Sequence, residues 1–199
     1  MAFTPSADLT PQLTSVKIVV AGGFGVGKTT LVATASEIEP VSTEAQMTEA
    51  STRLDPLAPS DAKTHTTVAM DFGRITLGDH LLLYLFGTPG QARFLPMWDE
   101  LCRGASAALV LVDTRDQRLA DSFLAVNYFE NDLDIPFAVA VNLFDGVQTH
   151  PLRDVQAALD LPDQVPLIAC DARDKPSVVQ ALITAVEHSL RQTTPALRR

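Results

Sequence analysis

The stretch Gly22-Gly23-Phe24-Gly25-Val26-Gly27-Lys28-Thr29-Thr30 decides how the rest of this chain is read. It completes the pattern G-x-x-x-x-G-K-[ST]. The apolar run Val16, Ile18, Val19, Val20, Ala21 precedes it, and Leu31-Val32-Ala33 follow. Strand, glycine turn and helix form the context in which this pattern cradles phosphate. Gly22, Gly25 and Gly27 let the backbone curl so that successive N–H groups, that of Val26 among them, face phosphate oxygens. The helix beginning near Lys28 presents its positive end, with Thr29 and Thr30 in the first turn. Lys28 places a point charge on the terminal phosphates, and the Thr29 hydroxyl can ligate Mg²⁺ travelling with them. The expectation is a nucleoside triphosphate site.

Working outward, apolar runs alternate with helical patterns. Strands are expected at Val16–Ala21, Thr66–Leu77, His80–Phe86, Ala107–Val112, Phe137–Asn142 and Val165–Ala169. Helices are expected at Lys28–Glu37, after Phe94, and at Asp116–Asn131, Pro151–Leu159 and Ser177–Arg191. Gly78-Asp79 is a hairpin signal. Every other connection is a crossover. The pattern therefore predicts an α/β fold of three layers, with five helices around a six-stranded, mostly parallel sheet that carries one antiparallel edge strand. Residues 15–192 form this domain, between flexible termini at 1–14 and 193–199. Residues 39–65 interrupt the rhythm, being rich in Ser, Thr, Pro, Glu and Ala. A short helix over Thr43–Arg53 is the structure they allow, and a segment of this kind is usually functional.

Composition limits the partners. The 199 residues carry a net charge of −9, which argues against nucleic acid or an anionic membrane as a broad electrostatic partner. Two cysteines, Cys102 and Cys170, lie in apolar runs and read as buried thiols in a reducing compartment. No stretch reaches the roughly 18 apolar residues of a membrane span. A cytoplasmic protein is expected, with any membrane association made through a partner.

In a sheet of this type ligands bind beyond the carboxyl ends of the strands. The loops there read Gly87-Thr88-Pro89-Gly90-Gln91-Ala92-Arg93-Phe94, Asp113-Thr114-Arg115, Asn142-Leu143-Phe144-Asp145 and Asp171-Ala172-Arg173. A carboxylate such as Asp145 can accept both N–H donors on the edge of guanine, whereas adenine offers an acceptor there. A site built on hydrogen bonds discriminates by orders of magnitude. Asn142 would brace the loops, and the Ala172 N–H would reach the guanine O6.

Together these segments resemble the Ras-like small GTPases, most closely the bacterial MglA-type branch and the actinobacterial conservon GTPases (CvnD), over residues 16–191. Thr67-x-x-x-Asp71-Phe72 resembles a switch I entry, with Thr66 as the alternative threonine. Residues 87–94 resemble switch II, and Asn142–Asp145 and Asp171–Arg173 resemble the two guanine motifs. The resemblance implies GTP or GDP with Mg²⁺ as ligands and Thr29 and Thr67 on the metal. It places Thr67 and Gly90 on the terminal phosphate and Gln91 orienting the attacking water. It also implies slow hydrolysis, a Roadblock/LC7-type partner and a sensor-kinase-like membrane protein.

Three positions depart from the family pattern. Gly87 stands where a metal-proximal aspartate is usual, and Asp113 offers either a substitute or a loop cap. Leu143 replaces a lysine that packs on guanine, with Arg173 available to cover the other face. Thr67 follows Lys28 by 39 residues (67 − 28), the excess being an extended switch I insertion over 39–65. That insertion contains Arg53, the first candidate for an arginine finger acting in cis, with Arg93 second. Two other classes are a non-hydrolysing subunit that binds nucleotide for shape and a P-loop small-molecule kinase. The kinase lacks an arginine-rich lid over residues 115–160. The apolar residues Phe94, Leu95, Met97 and Trp98 offer either a docking patch for partners or the packed face of a helix.

Overall fold

The computed structural model describes residues 13–39, 41–46, 67–115 and 118–193, with residues 41–46 and 67–69 described by their backbone. Arg53, Thr66 and Asp116 lie outside these residues.

The elements run β1 (Thr14–Gly22), α1 (Lys28–Ala35), β2 (Val41–Gln46), β3 (Thr67–Leu77) and β4 (Leu81–Gly87). After a 3₁₀ turn at Ala92–Phe94 come α2 (Leu95–Cys102), β5 (Ala107–Val112) and α3 (Ala120–Asn127), which continues as a π turn over Tyr128–Asp132. They close with β6 (Phe137–Asn142), α4 (Leu152–Ala158), β7 (Leu167–Cys170) and α5 (Lys175–Thr193). The sheet order is β2-β3-β4-β1-β5-β6-β7. Strands β4, β1, β5, β6 and β7 are parallel, and β3 runs antiparallel to both its neighbours.

The three-layer α/β fold and all six expected strands are present. Strand β2 is a seventh, inside the segment for which a short helix was expected. It pairs with the outer edge of β3, from Val41 opposite Phe72 to Gln46 opposite Thr67. The β-branched Val41 and Thr43 suit an extended chain, and the pairing satisfies backbone groups that β3 would otherwise expose. Other boundaries shift too: β1 runs over Thr14–Gly22, α1 ends at Ala35 and β7 covers Leu167–Cys170, and at α5 and β4 the local cause is visible. Helix α5 starts at Lys175 because the Asp174 carboxylate accepts the Ser177 N–H at 3.0 Å, an N-cap that tolerates Pro176 in the first turn. Strand β4 starts at Leu81, one residue later than expected, because a three-residue turn joins it to β3.

The burial of β1 and β5 explains why they read as continuous apolar runs. Side chains alternate across a strand. Ile18, Val20, Leu109 and Leu111 enter the core under α1 and α5 with Leu31, Val32, Ala181 and Leu182. Val19, Ala21, Val110 and Val112 enter the opposite core under α2, α3 and α4 with Trp98, Val126, Phe129 and Val155. With both faces covered, neither β5 nor the part of β1 from Ile18 onward meets water, whereas Thr14 and Ser15 at the start of β1 are exposed. Cys102 and Cys170 are free and buried in these cores, and burial pushes each thiol up to about 11. Strand β1 lies between β4 and β5, so the connections leave it in opposite directions. The crevice at its carboxyl end is where Gly22–Thr30 sits.

Candidate nucleotide-binding site

Gly27 takes φ +106°, a left-handed turn that starts α1 at Lys28. A Cβ on Gly27 would lie 2.6 Å from the Asn142 amide nitrogen, so only glycine lets the two loops approach. Asn142 uses that approach. Its Nδ2 donates to the Val26 carbonyl at 2.8 Å, and its Oδ1 accepts the Ala172 N–H at 3.1 Å. One buried amide thus ties the phosphate loop to the loops after β6 and β7. The Ala172 N–H expected to serve a base carbonyl is therefore engaged within the protein.

Lys28 is buried, and its Nζ donates to the Gly22 and Gly23 carbonyls at 2.9 and 2.6 Å. Burial brings its ammonium down to about 8, with the Asp71 carboxylate opposing that shift. A cleft of about 450 Å³ opens beside it, lined by Phe24, Gly25, Gly27, Lys28, Thr29 and Thr30 on one wall and Asp71 and Thr88–Gln91 on the other. Gly90 packs so closely that an added Cβ would sit 2.6 Å from Lys28 Nζ. Gln91 lines the same cleft and precedes the 3₁₀ turn. Phe24, at the mouth, is 66% exposed.

Asp71 is the residue that sequence reasoning missed. It sits directly across from Gly87 on the antiparallel strand, and a Cβ at Gly87 would touch the Asp71 Cβ and Oδ2, each at 3.0 Å. Its Oδ2 accepts the Thr29 hydroxyl proton at 2.6 Å. A carboxylate therefore reaches the region beside Thr29 from β3 rather than from Gly87. Asp113, the other candidate, is committed elsewhere. Its oxygens take the Arg115 N–H, Nε and Nη2 at 3.0, 3.0 and 2.7 Å, and the Arg115 guanidinium lies 3.3 Å from the Phe144 ring centre.

The donors around Thr29 suit Mg²⁺. They are hard oxygens, the Thr29 hydroxyl and the Asp71 carboxylate. Nearby, the buried Thr88 Oγ1 lines the cleft with no hydrogen-bond partner. Among the described residues no group of three or more His, Cys, Asp or Glu gathers in one place. Such a sparse set fits a cation that keeps waters and takes phosphate oxygens. Thr67 is the first residue of β3, its backbone paired with Gln46.

On the base side, Asp145 follows β6 with φ +57° and ψ +28°, a left-handed conformation in which aspartate and asparagine are favoured over other non-glycine residues. Its carboxylate is exposed and accepts Arg173 Nη1 at 3.0 Å. Arg173 also donates from Nε and Nη2 to Asp171 at 3.3 and 3.4 Å, and from its backbone N–H at 2.9 Å. These donors hold the Asp171 carboxyl below its usual range. The Arg173 guanidinium is thus spent on two carboxylates, not on an open face. Of the two readings of the apolar residues after switch II, burial favours the packed face. Phe94 and Trp98 are buried, and Trp98 Nε1 donates to the Pro89 carbonyl at 3.0 Å, so this is chiefly the packed face of α2. Arg93, the second finger candidate, lines the cleft and stacks on Phe94 at 4.8 Å.

With this geometry in hand, residues 20–192 match the family described as "Conserved hypothetical ATP binding protein" (ATP_bind_1). The chain belongs to this family. It is also similar to "Uncharacterized protein MJ1339" of Methanocaldococcus jannaschii, 30% identical over 130 residues, which span 65% of this chain and 71% of that protein. Among solved structures it resembles the cytosolic domain of the T. maritima FeoB iron transporter, in apo form and in a GDP form. The TM-score is 0.62 in both cases, at 17% identity. The chain covers 64% of those cytosolic domains but 99% of the FeoB G domain taken alone, with TM-score 0.61. These likenesses show a P-loop GTPase-like fold. No helix among the described residues is long and apolar enough to cross a membrane.

Proposed function

We propose that this chain is a guanine-nucleotide switch: it binds GTP and GDP with Mg²⁺, hydrolyses GTP slowly and changes its switch loops with the bound nucleotide. The observation that carries the reading is the brace through Asn142. It joins the phosphate loop to the β6–β7 loops, where the Asp145 carboxylate stands exposed to receive a base. The family description speaks of ATP, but a carboxylate in this position would meet the N1 lone pair of adenine, acceptor against acceptor, where guanine offers two donors.

In this reading Lys28 leaves the Gly22 and Gly23 carbonyls for the terminal phosphates. Asp71 takes the Thr29 hydroxyl proton, leaving the oxygen's lone pairs for the cation. Mg²⁺ would supply charge neutralisation on the phosphate oxygens. The Gly90 N–H and Thr67 sense the terminal phosphate, Gln91 orients the attacking water, and Arg53 offers transition-state charge in cis. The non-hydrolysing alternative drew on the missing carboxylate at Gly87, and Asp71 weakens that ground. Kinship with the MglA-type and conservon GTPases, a Roadblock/LC7-type partner and a sensor-kinase-like membrane protein rest on the sequence resemblance, and a cytoplasmic location on the composition.

The test is to measure affinities for GDP, GTP, ADP and ATP, and single-turnover hydrolysis with and without a Roadblock-type protein. Guanine nucleotides should bind at least about a hundredfold more tightly than adenine nucleotides. Preference for ATP would sink the guanine assignment. Tight GTP binding without turnover under either condition would sink hydrolysis while leaving binding intact.

A further inference from the structure

The Arg173 side chain bridges two carboxylates that approach from different loops. Its Nη1 reaches Asp145 after β6, and its Nε and Nη2 reach Asp171 after β7. Asp171 is further fixed by the Arg173 backbone N–H, so the guanidinium is anchored at one end and extended toward Asp145 at the other. Asp145 needs such an anchor. Its side chain is 86% exposed and Gly146 follows it, also left-handed; the Arg173 guanidinium contacts its carboxylate directly, while Arg115, committed to Asp113, acts on it only through its charge.

We propose that Arg173 is the positioning residue that sets guanine selectivity, holding the Asp145 carboxylate at the angle that accepts both N–H groups of the guanine edge. This rests on the guanine reading above and goes a step further, since it makes selectivity depend on a residue that need not touch the base. The chemistry allows the shared use. An ionised carboxylate has about four lone-pair sites, so one taken by Arg173 leaves enough for two base donors. Without Arg173, Asp145 and Asp171 would repel each other, and Asp145 would turn toward water. The fork geometry matters because one planar group must serve two carboxylates at once, which a lysine ammonium does less well.

The test compares GTP with ITP, which lacks the 2-amino group, so the affinity ratio reads the Asp145 contact apart from phosphate binding. Arg173→Ala should lower the GTP:ITP ratio about fivefold, the scale of an exposed charge pair, with ITP affinity changed much less. Arg173→Lys should recover only part of the loss. The double variant Asp171→Ala/Arg173→Ala should recover part of it by removing the repulsion. An unchanged ratio in Arg173→Ala, full rescue by lysine, or no rescue in the double variant would each overturn the clamp. Asp145→Asn, a substitution the left-handed backbone accepts, tests the reading beneath it: preference should move from GTP to XTP. If it does not move, the guanine assignment fails, whatever Arg173 does.

Discussion

Lys28 and Asp71 set the electrostatics of the phosphate cleft, and both make predictions that a titration can read. Burial holds the Lys28 ammonium at about 8, below its ordinary 10.5. Between those values the unfolded chain binds more protons than the folded one, so this group makes the free protein more stable as pH rises through that window. Nucleotide affinity runs the other way. Phosphate needs the charged lysine, so above about pH 8 binding must take up a proton, and affinity falls by up to about tenfold per pH unit. Dissociation constants for GDP from pH 7 to about 9, set against Lys28→Arg, whose charge does not titrate there, check this. A flat difference would remove Lys28 from the linkage. For Asp71, replacement by Ala should raise the Mg²⁺ concentration for half-maximal nucleotide retention about tenfold or more, as loss of a partner to a metal ligand commonly does. The exchanged pair Asp71→Gly/Gly87→Asp should bring it back, because the two positions face each other across the hairpin. Retention is followed by release of a labelled nucleotide, so the result does not depend on turnover.

At the scale of elements, the β3–β4 hairpin shows what was legible in the sequence and what was not. Both strands and their turn were readable from alternation and from Gly78-Asp79. The register was not. A two-residue turn would pair Leu77 with His80 and bring Phe86 opposite Asp71. The actual pairing of Leu77 with Leu81 brings Gly87 there. One residue of turn length therefore hid the carboxylate that faces Gly87, although Asp71 was in plain view. The bridge made by Arg173 was hidden for a related reason, since no spacing rule tells whether a guanidinium lies over a base or between two acids. By contrast Asn142, Lys28 and the glycine turn were legible because backbone geometry demands those residue types. Helix α2 makes its own prediction. Its Trp98 is buried, stacks edge-on against Tyr128 and bonds the Pro89 carbonyl beside the cleft. Trp98→Phe leaves that carbonyl unpaired and should cost about 1–3 kcal/mol in urea unfolding. As the chain's single tryptophan, Trp98 should also change its emission when nucleotide moves Pro89 and Gly90. Unchanged fluorescence on exchanging GDP for a non-hydrolysable GTP analogue would count against switch II moving between the two states.

Over the whole molecule, two cores grip one sheet, and the ligand loops gather at a single end of it. That arrangement couples nucleotide binding to global stability through few contacts. Asn142 ties together three loops carried by β1, β6 and β7, which the core holds independently of any ligand. A nucleotide that spans Lys28 and Asp145 bridges the same loops, so its binding free energy should appear almost entirely as resistance to unfolding. At a ligand concentration about a hundred times the dissociation constant, the gain is about 2.7 kcal/mol. For a domain of this size that corresponds to a rise in melting temperature of roughly 5–11 °C. GDP with Mg²⁺ should produce it, and ADP at the same concentration should produce almost none. Gly27→Ala should abolish it by driving a Cβ into Asn142 and straining the left-handed turn, which separates the phosphate loop from the base loops. Asp145→Ala should leave the unliganded melting temperature nearly unchanged, because its carboxylate is exposed, while removing most of the difference between GDP and ADP. Equal shifts for GDP and ADP in the unmodified protein would mean that the base loops contribute no discrimination and that the phosphates alone hold the nucleotide.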